Sequence, residues 1–278
     1  LGSPTSISLA GGTQIAVSVD GLVIDAPITL GASGTTAQIN SPGDAQTLTL
    51  NGAIGGAGNL TFNGRDGANA KPVIVLGGKS TYGGNTLLTC TNGGSGGNLY
   101  VNLAVADALP TTTVLTLDGG SGVGSGRSIW LDLCGFDQTL GGLKNIPRSG
   151  RSQRVRNTSA TAATLTVNNS EDNTFSGTIE NNLSLTKDGA GKLSLSGANS
   201  YTGDTIVNAG TLSITTAYLA DAADVYLTAD AILNLAFSGA DTIDQLFFDG
   251  MGQAAGTWGR IGSIDEFGAD YETDLLTG

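Results

Sequence analysis

The sequence predicts an all-β fold, a parallel β-helix (β-solenoid) with a C-terminal capping segment, from three observations. Strand signals recur along the whole chain while helix signals are almost missing. Small polar and glycine clusters punctuate those strands. A motif recurs at long range that is too short to close a core by itself.

The strand signals come in order at Gln46-Thr47-Leu48-Thr49-Leu50, Asn59-Leu60-Thr61-Phe62, Thr113-Val114-Leu115-Thr116-Leu117 and Ser128-Ile129-Trp130-Leu131-Asp132-Leu133. They continue at Ala163-Thr164-Leu165-Thr166-Val167, Asn182-Leu183-Ser184-Leu185, Lys192-Leu193-Ser194-Leu195 and Gly210-Thr211-Leu212-Ser213-Ile214. Each alternates aliphatic with polar residues, the period-two pattern of a strand with one buried face. Between them stand Asn51-Gly52, Asn63-Gly64, Asp118-Gly119-Gly120 and Asp188-Gly189, residue types that tolerate the positive φ of tight turns.

Repeats separate a solenoid from a sandwich or barrel. Aligned without a gap, residues 75–86 and 194–205 share Leu, Gly, Tyr, Gly and Thr, five of twelve positions. A shorter echo, Asn173-Thr174-Phe175-Ser176-Gly177, sits 26 residues before Asn199-Ser200-Tyr201-Thr202-Gly203. A unit of roughly 20–30 residues buries its apolar face only by stacking on its neighbours, the logic of a solenoid. Inward aliphatics then form columns along the axis, and glycines take the corners where a Cβ would clash. On this reading Tyr82 and Tyr201 pad a corner or a junction between coils.

The tail changes character. Residues from Asp221 onward lose the earlier spacing, and four of the seven Phe and one of the two Trp follow residue 236. An aromatic-rich final segment suits the closing of a bare apolar end, so the expected division is coils over 1–217 and a cap over 218–278.

Composition narrows the chemistry. The chain has 278 residues with 44 Gly, 24 Asp plus Glu, 12 Lys plus Arg, and no His. Lacking histidine, it has no Ser-His-Asp or Cys-His machinery and no His-ligated metal. A net charge of −12 with 5% aromatics makes it a poor nucleic-acid binder, because phosphate neutralisation needs clustered cations. Its longest aliphatic run is Val73-Ile74-Val75-Leu76, far short of a bilayer span. Opening on Leu1 without a charged-then-apolar leader, the chain reads as processed or excised. Cys90 and Cys134 fit either one disulfide or two buried thiols; their 44-residue separation equals two coils of roughly 22 residues.

Two stretches carry a family resemblance. Gly189-Ala190-Gly191-Lys192-Leu193-Ser194-Leu195-Ser196-Gly197-Ala198-Asn199-Ser200-Tyr201-Thr202-Gly203-Asp204-Thr205, with Ala209-Gly210-Thr211-Leu212, resembles the autotransporter-associated β-strand repeat, also called the passenger-associated transport repeat, of bacterial surface proteins. The tail through Asp249-Gly250 and Gln253-Ala254-Ala255-Gly256-Thr257-Trp258-Gly259 is similar to segments that close such arrays. The resemblance covers 160–278 well and 51–90 in degenerate form. It implies a right-handed β-helix exported by a Gram-negative-type cell, and no catalytic residue.

Three candidate sites remain. The enzymatic alternative is a polysaccharide lyase or hydrolase working along one face of the helix; it needs several clustered carboxylates with a base, or a carboxylate pair. Its best patch is Arg127, Asp132 and Asp137, with Asp132 pointing outward between Leu131 and Leu133, and this reads better as a solvated face. Gly93-Gly94-Ser95-Gly96-Gly97-Asn98 approaches a calcium nonapeptide but has Asn in place of the carboxylate and no tandem copy. The strongest charge feature is Lys144, Arg148, Arg151, Arg154 and Arg156, five of twelve bases within thirteen positions. With Pro147, Ser149, Gly150 and Ser152 around it, this reads as a loop. Residues 218–278 hold 11 of the 24 acidic groups and one base, Arg260.

Complementary charge on separate parts of one chain favours head-to-tail association. The reading is a non-enzymatic extracellular or cell-surface scaffold, filament subunit or adhesive stalk. Arg148, Arg151, Arg154 and Arg156 are its interaction residues. Its partners are other copies of itself or surface and matrix components, and no cofactor or metal is called for.

Overall fold

The computed structural model describes residues 5–17, 19–41, 43, 46–64, 71–90, 97–120, 127–260 and 269–278. Among them every regular element is a strand, and parallel sheets stack these strands into a β-solenoid of about nine turns. Each turn visits three faces. The first holds Ile7–Leu9, Ile28–Leu30 and Ile54–Gly56, and resumes as a sheet from Gln138–Leu140 to Leu246–Phe248. Across the interval, backbone bonds from Thr81 N–H to the Ile54 carbonyl and from Ser80 N–H to the Ala108 carbonyl carry the stack. The second face runs from Gln14–Ile15 to Gly142–Ile146 and again from Asn173–Phe175 onward. The third is one uninterrupted sheet of eight strands, Leu22–Ile24 to Ser200–Tyr201.

Period-two alternation becomes columns. On the third face Leu48, Ile74, Val101, Leu131, Val155 and Ile179 pair rung upon rung, and all six are fully buried. Each contributes about 1.5–3 kcal/mol by leaving water. Polar side chains ladder in the same way: Asn63 Nδ2 donates to Asn40 Oδ1, and Asn40 Nδ2 donates to Gln14 Oε1. The corner glycine Gly197 is required by close approach, since a Cβ there would sit 1.8 Å from the Gly177 carbonyl oxygen.

The turn changes length along the rod. Leu48 lies opposite Ile74 and Asn98 opposite Ser128, steps of 26 and 30 residues. From Ala163 opposite Leu183 through Thr205 opposite Val225 the first-face step is 20. Consequently the Asn173–Gly177 echo does not stack on Asn199–Gly203. Asn173 lies opposite Leu193 and Phe175 opposite Leu195, because a 26-residue offset overshoots a 20-residue turn by a corner. Where the second face changes sheet, side-chain amides replace the backbone ladder: Leu143 N–H donates to Asn173 Oδ1 and Ser176 N–H to Asn145 Oδ1.

The two tyrosine motifs share local geometry. Tyr82 and Tyr201 are both buried, and their hydroxyls bond the Thr86 and Thr205 hydroxyls at 2.5 and 2.8 Å. Tyr82 stands on the first face, beside Thr81 above Ile54. Tyr201 stands on the third, opposite Asn181. The repeat is thus a strand-corner-strand arm that recurs rotated by one face.

One of the inward columns on the first face includes a charged side chain. Lys187 pairs with Val167 below and Val207 above and is fully buried. Its ammonium donates to the carbonyls of Asp188, Gly189 and Ala209 at 2.7, 2.7 and 3.1 Å, which occupies all three N–H groups. Burial still lowers its pKa to about 8.

Coil strands continue past residue 218 at Val225–Leu227, Ala231–Leu235 and Leu246–Phe248. The chain then reverses: Met251–Gly252 runs antiparallel along the last first-face strand. Leu276–Thr277 adds a final strand to the second face. Trp258 packs edge-on against Phe248 and stacks on Tyr271.

Candidate functional site

The basic residues gather where the chain passes from the second face to the third. Arg127 and Arg151 each stand one residue before a third-face strand, and those strands pair with Ser128 opposite Ser152, so the two arginines are one turn apart. Each reaches back to the turn of the preceding coil. Arg127 Nη1 donates to the Cys90 carbonyl at 2.6 Å, and Arg151 Nη1 donates to the carbonyls of Gly119 and Gly120. Arg148 Nε pairs with Asp118 at 3.2 Å. Burial, then the charges of Arg127 and Arg148, lower the pKa of Arg151.

Arg154 and Arg156 are placed otherwise. The sequence reading put the whole cluster in a loop; the structure places these two on the strand Ser152–Asn157 and Lys144 on the strand Gly142–Ile146. Alternation turns both arginines outward, and their carboxylate partners come from adjoining turns of the same face. Arg154 Nη1 contacts both Glu180 oxygens at 3.0 Å. Arg156 Nε lies 3.0 Å from Asp132 Oδ2, and its guanidinium carbon lies 3.8 Å from the Trp130 ring centre. Trp130 in turn packs on Tyr100, with centroids 4.3 Å apart. A composition-based reading misses this ladder. Its signal was one-turn spacing: Tyr100, Trp130 and Arg154 are register partners.

The four arginines therefore split into two pairs. Arg148 and Arg151 line an open concavity of about 420 Å³ together with Pro147, Ser152, Ser176 and Thr178. Arg154 and Arg156 are held in the ladder. Guanidiniums beside hydroxyls suit a carboxylate or another anionic group.

The enzymatic patch does not assemble. Arg127 is fully buried at the corner. Asp132 does face outward, but it is not solvated: its side chain is 2% exposed, covered by Arg156, and it accepts from Thr158 Oγ1 and from the N–H groups of Thr158 and Cys134. Asp137 is exposed and accepts from Thr164 N–H, whose strand lies on the first face. The calcium-like stretch falls mostly on residues 91–96, outside the described residues. Among the described residues no group of three or more His, Cys, Asp or Glu is placed to hold a metal ion.

Cys90 is buried and Cys134 partly buried, and no disulfide joins them. Cys90 follows a second-face strand and Cys134 a third-face strand, so they stand at different corners and not in one column. Burial, with Asp132 alongside, pushes the Cys134 pKa up to about 11, which leaves the thiol protonated and unreactive. No helix among the described residues is long and apolar enough to cross a membrane.

Comparison with characterised proteins and with solved structures gives no match. The passenger-associated-transport-repeat family matches residues 185–214, the stretch in which 20-residue turns, Lys187, Gly197 and Tyr201 are found. Residues 185–214 thus carry a passenger-associated transport repeat set in a β-solenoid, a pairing that points to a secreted bacterial, passenger-like protein with a structural role.

Proposed function

We propose that this chain is a non-enzymatic rod displayed outside a Gram-negative-type cell, and that copies associate through a heterologous contact between the arginine corner and the acidic C-terminal segment. The carrying observation is charge placement. Arg148, whose side chain is 39% exposed, and Arg151 line an open concavity, while residues 218–278 hold 11 of 24 acidic groups and a single base. Arg148, Arg154 and Arg156 each have a carboxylate partner within the rod; Arg148 leads the contact because it is exposed and lines the concavity, which Arg154 and Arg156 do not. The corner lies part-way along the solenoid and the acidic segment at its end, which makes the contact staggered. A contact of this kind does not close on itself and propagates as a filament. Residues 218–278 also act as the cap, since the chain reversal at Met251–Gly252 covers a ladder edge that would otherwise be open.

Negative-stain electron microscopy and light scattering of the purified chain test this. Filaments at low salt that dissociate near about 0.5 M salt, where screening is strong, and that are lost in Arg148→Glu with its β circular dichroism intact, are expected. Monodisperse rods at every salt concentration, or filaments indifferent to Arg148→Glu, overturn the association. Release of unsaturated products or reducing ends from polygalacturonate overturns the non-enzymatic reading.

A further inference from the structure

The first face carries a second concavity, remote in sequence from the arginines. It has a volume of about 430 Å³ and is lined by Asp204, Ile206, Asn208, Tyr226, Thr228 and Asp249 among others. That volume lies within the roughly 300–1,000 Å³ of small-molecule sites. Ile206 and Tyr226 are register partners on neighbouring turns, and outward alternation leaves both half-buried with an apolar surface toward solvent. Phe247 continues the column, stacked on Tyr226 with centroids 4.5 Å apart. The result is a trough along the axis with an apolar floor and polar rims.

The rims are held in place. Asp204 Oδ1 accepts from Asp224 N–H at 2.9 Å, and Asp249 Oδ1 accepts from Ala229 N–H at 3.0 Å. Asn208 Nδ2 donates to Asp188 at 2.8 Å, and the Thr228 hydroxyl donates to the Asn208 carbonyl at 2.6 Å. The Tyr226 hydroxyl donates to Asp224 Oδ2 at 2.9 Å, which fixes the ring. Each rim group is thus oriented by one bond and keeps a further acceptor atom for a ligand, an arrangement that lowers the entropic cost of binding.

We propose that this trough binds a neutral glycan, lying along the solenoid axis. An apolar floor suits the C–H face of a pyranose. Carboxylate, amide and hydroxyl acceptors suit donors spread along its edge. Asp204 and Asp249 repel uronates and sulfated sugars, so the ligand is uncharged. Rungs recur about every 4.8 Å, close to the advance of one sugar unit in an extended chain, so successive units meet successive rungs. This site shares no residue with the arginine corner, but Tyr226, Thr228 and Asp249 belong to the acidic segment 218–278, so binding is read at about 0.5 M salt, where copies are dissociated.

The test is NMR titration of the isotope-labelled full chain with cellohexaose, maltohexaose, xylohexaose and mannohexaose, with hexagalacturonate as the charged control. Saturable shifts at Ile206, Tyr226 and Thr228 with at least one neutral oligosaccharide are expected. Affinity should fall at least tenfold in Tyr226→Ala, survive in Tyr226→Phe, and be unchanged in Arg148→Glu. No saturable shift at these residues with any neutral oligosaccharide overturns the proposal. So do binding that persists in a folded Tyr226→Ala and a preference for hexagalacturonate. Should Tyr226→Ala fail to fold, Ile206→Asp serves in its place with the same expected loss.

Discussion

Arg156 covers Trp130: its guanidinium carbon lies 3.8 Å from the indole ring centre while its Nε reaches Asp132 Oδ2 at 3.0 Å. One side chain therefore closes an aromatic column and neutralises a carboxylate that is 2% exposed. Removing a single member of such a pair leaves a charge without its partner in a place that water hardly reaches. Arg156→Ala, which strands the buried Asp132 carboxylate, is expected to cost about 3 kcal/mol, read as a lower urea midpoint. Arg154→Ala, whose partner Glu180 is more exposed at 13%, should cost less.

Lys187 makes stability depend on alkaline pH. Its folded-state pKa is lowered to about 8 from an ordinary 10.5, so between those values the unfolded chain binds more protons than the folded one. Stability contributed by this site therefore rises as pH climbs from about 8 toward about 10.5. In Lys187→Met that rise should disappear, and the variant should be less stable than the parent at pH 7 by about 1–3 kcal/mol, since the carbonyls of Asp188, Gly189 and Ala209 lose the ammonium donor. Urea midpoints of both proteins between pH 7 and 9.5 give the comparison; parallel profiles would show the site is silent.

The two tyrosines predict unequal costs. Tyr201→Phe takes from the buried Thr205 hydroxyl the bond that Tyr201 supplies, a loss of about 1–2 kcal/mol. In Tyr82→Phe the Thr86 hydroxyl retains Thr113 at 2.8 Å, so the cost should be smaller. Thermal unfolding of the two variants side by side checks the order.

Gly197 is constrained by the turn beneath it. Gly197→Ala forces a methyl against the Gly177 carbonyl and should destabilise by more than about 1 kcal/mol. Gly250, with φ of +77° and nothing within 4 Å of an added Cβ, should lose stability on Ala substitution through backbone strain alone. Crowding should make the first change the more severe, measured by loss of protection from proteolysis around residues 177 and 197.

Much of the fold was legible in local pattern. Leu48, Leu165, Leu193 and Leu212 alternate with polar neighbours, and alternation alone says which side chains point inward. The signature around Gly197 and Tyr201 was legible too, because its residues satisfy one another within a few positions. The arginine cluster was misplaced for a related reason. Pro147, Ser149 and Gly150 mark a turn, but Arg154 and Arg156 lie far enough beyond it to belong to the next strand, and their partners Glu180, Asp132 and Trp130 are a full turn away.

By itself, then, the sequence determined an all-β chain, its inward columns, its glycine corners and its repeat, since all of these follow from neighbours close along the chain. Only the tertiary structure decided the rest. It placed Tyr82 and Tyr201 on different faces, buried Arg127 and Asp132, and brought Asp204, Tyr226 and Asp249 to one trough. The physical reason is register: corners of different length change which residues stand above one another, and stacking between turns is set by backbone bonds that no local pattern records.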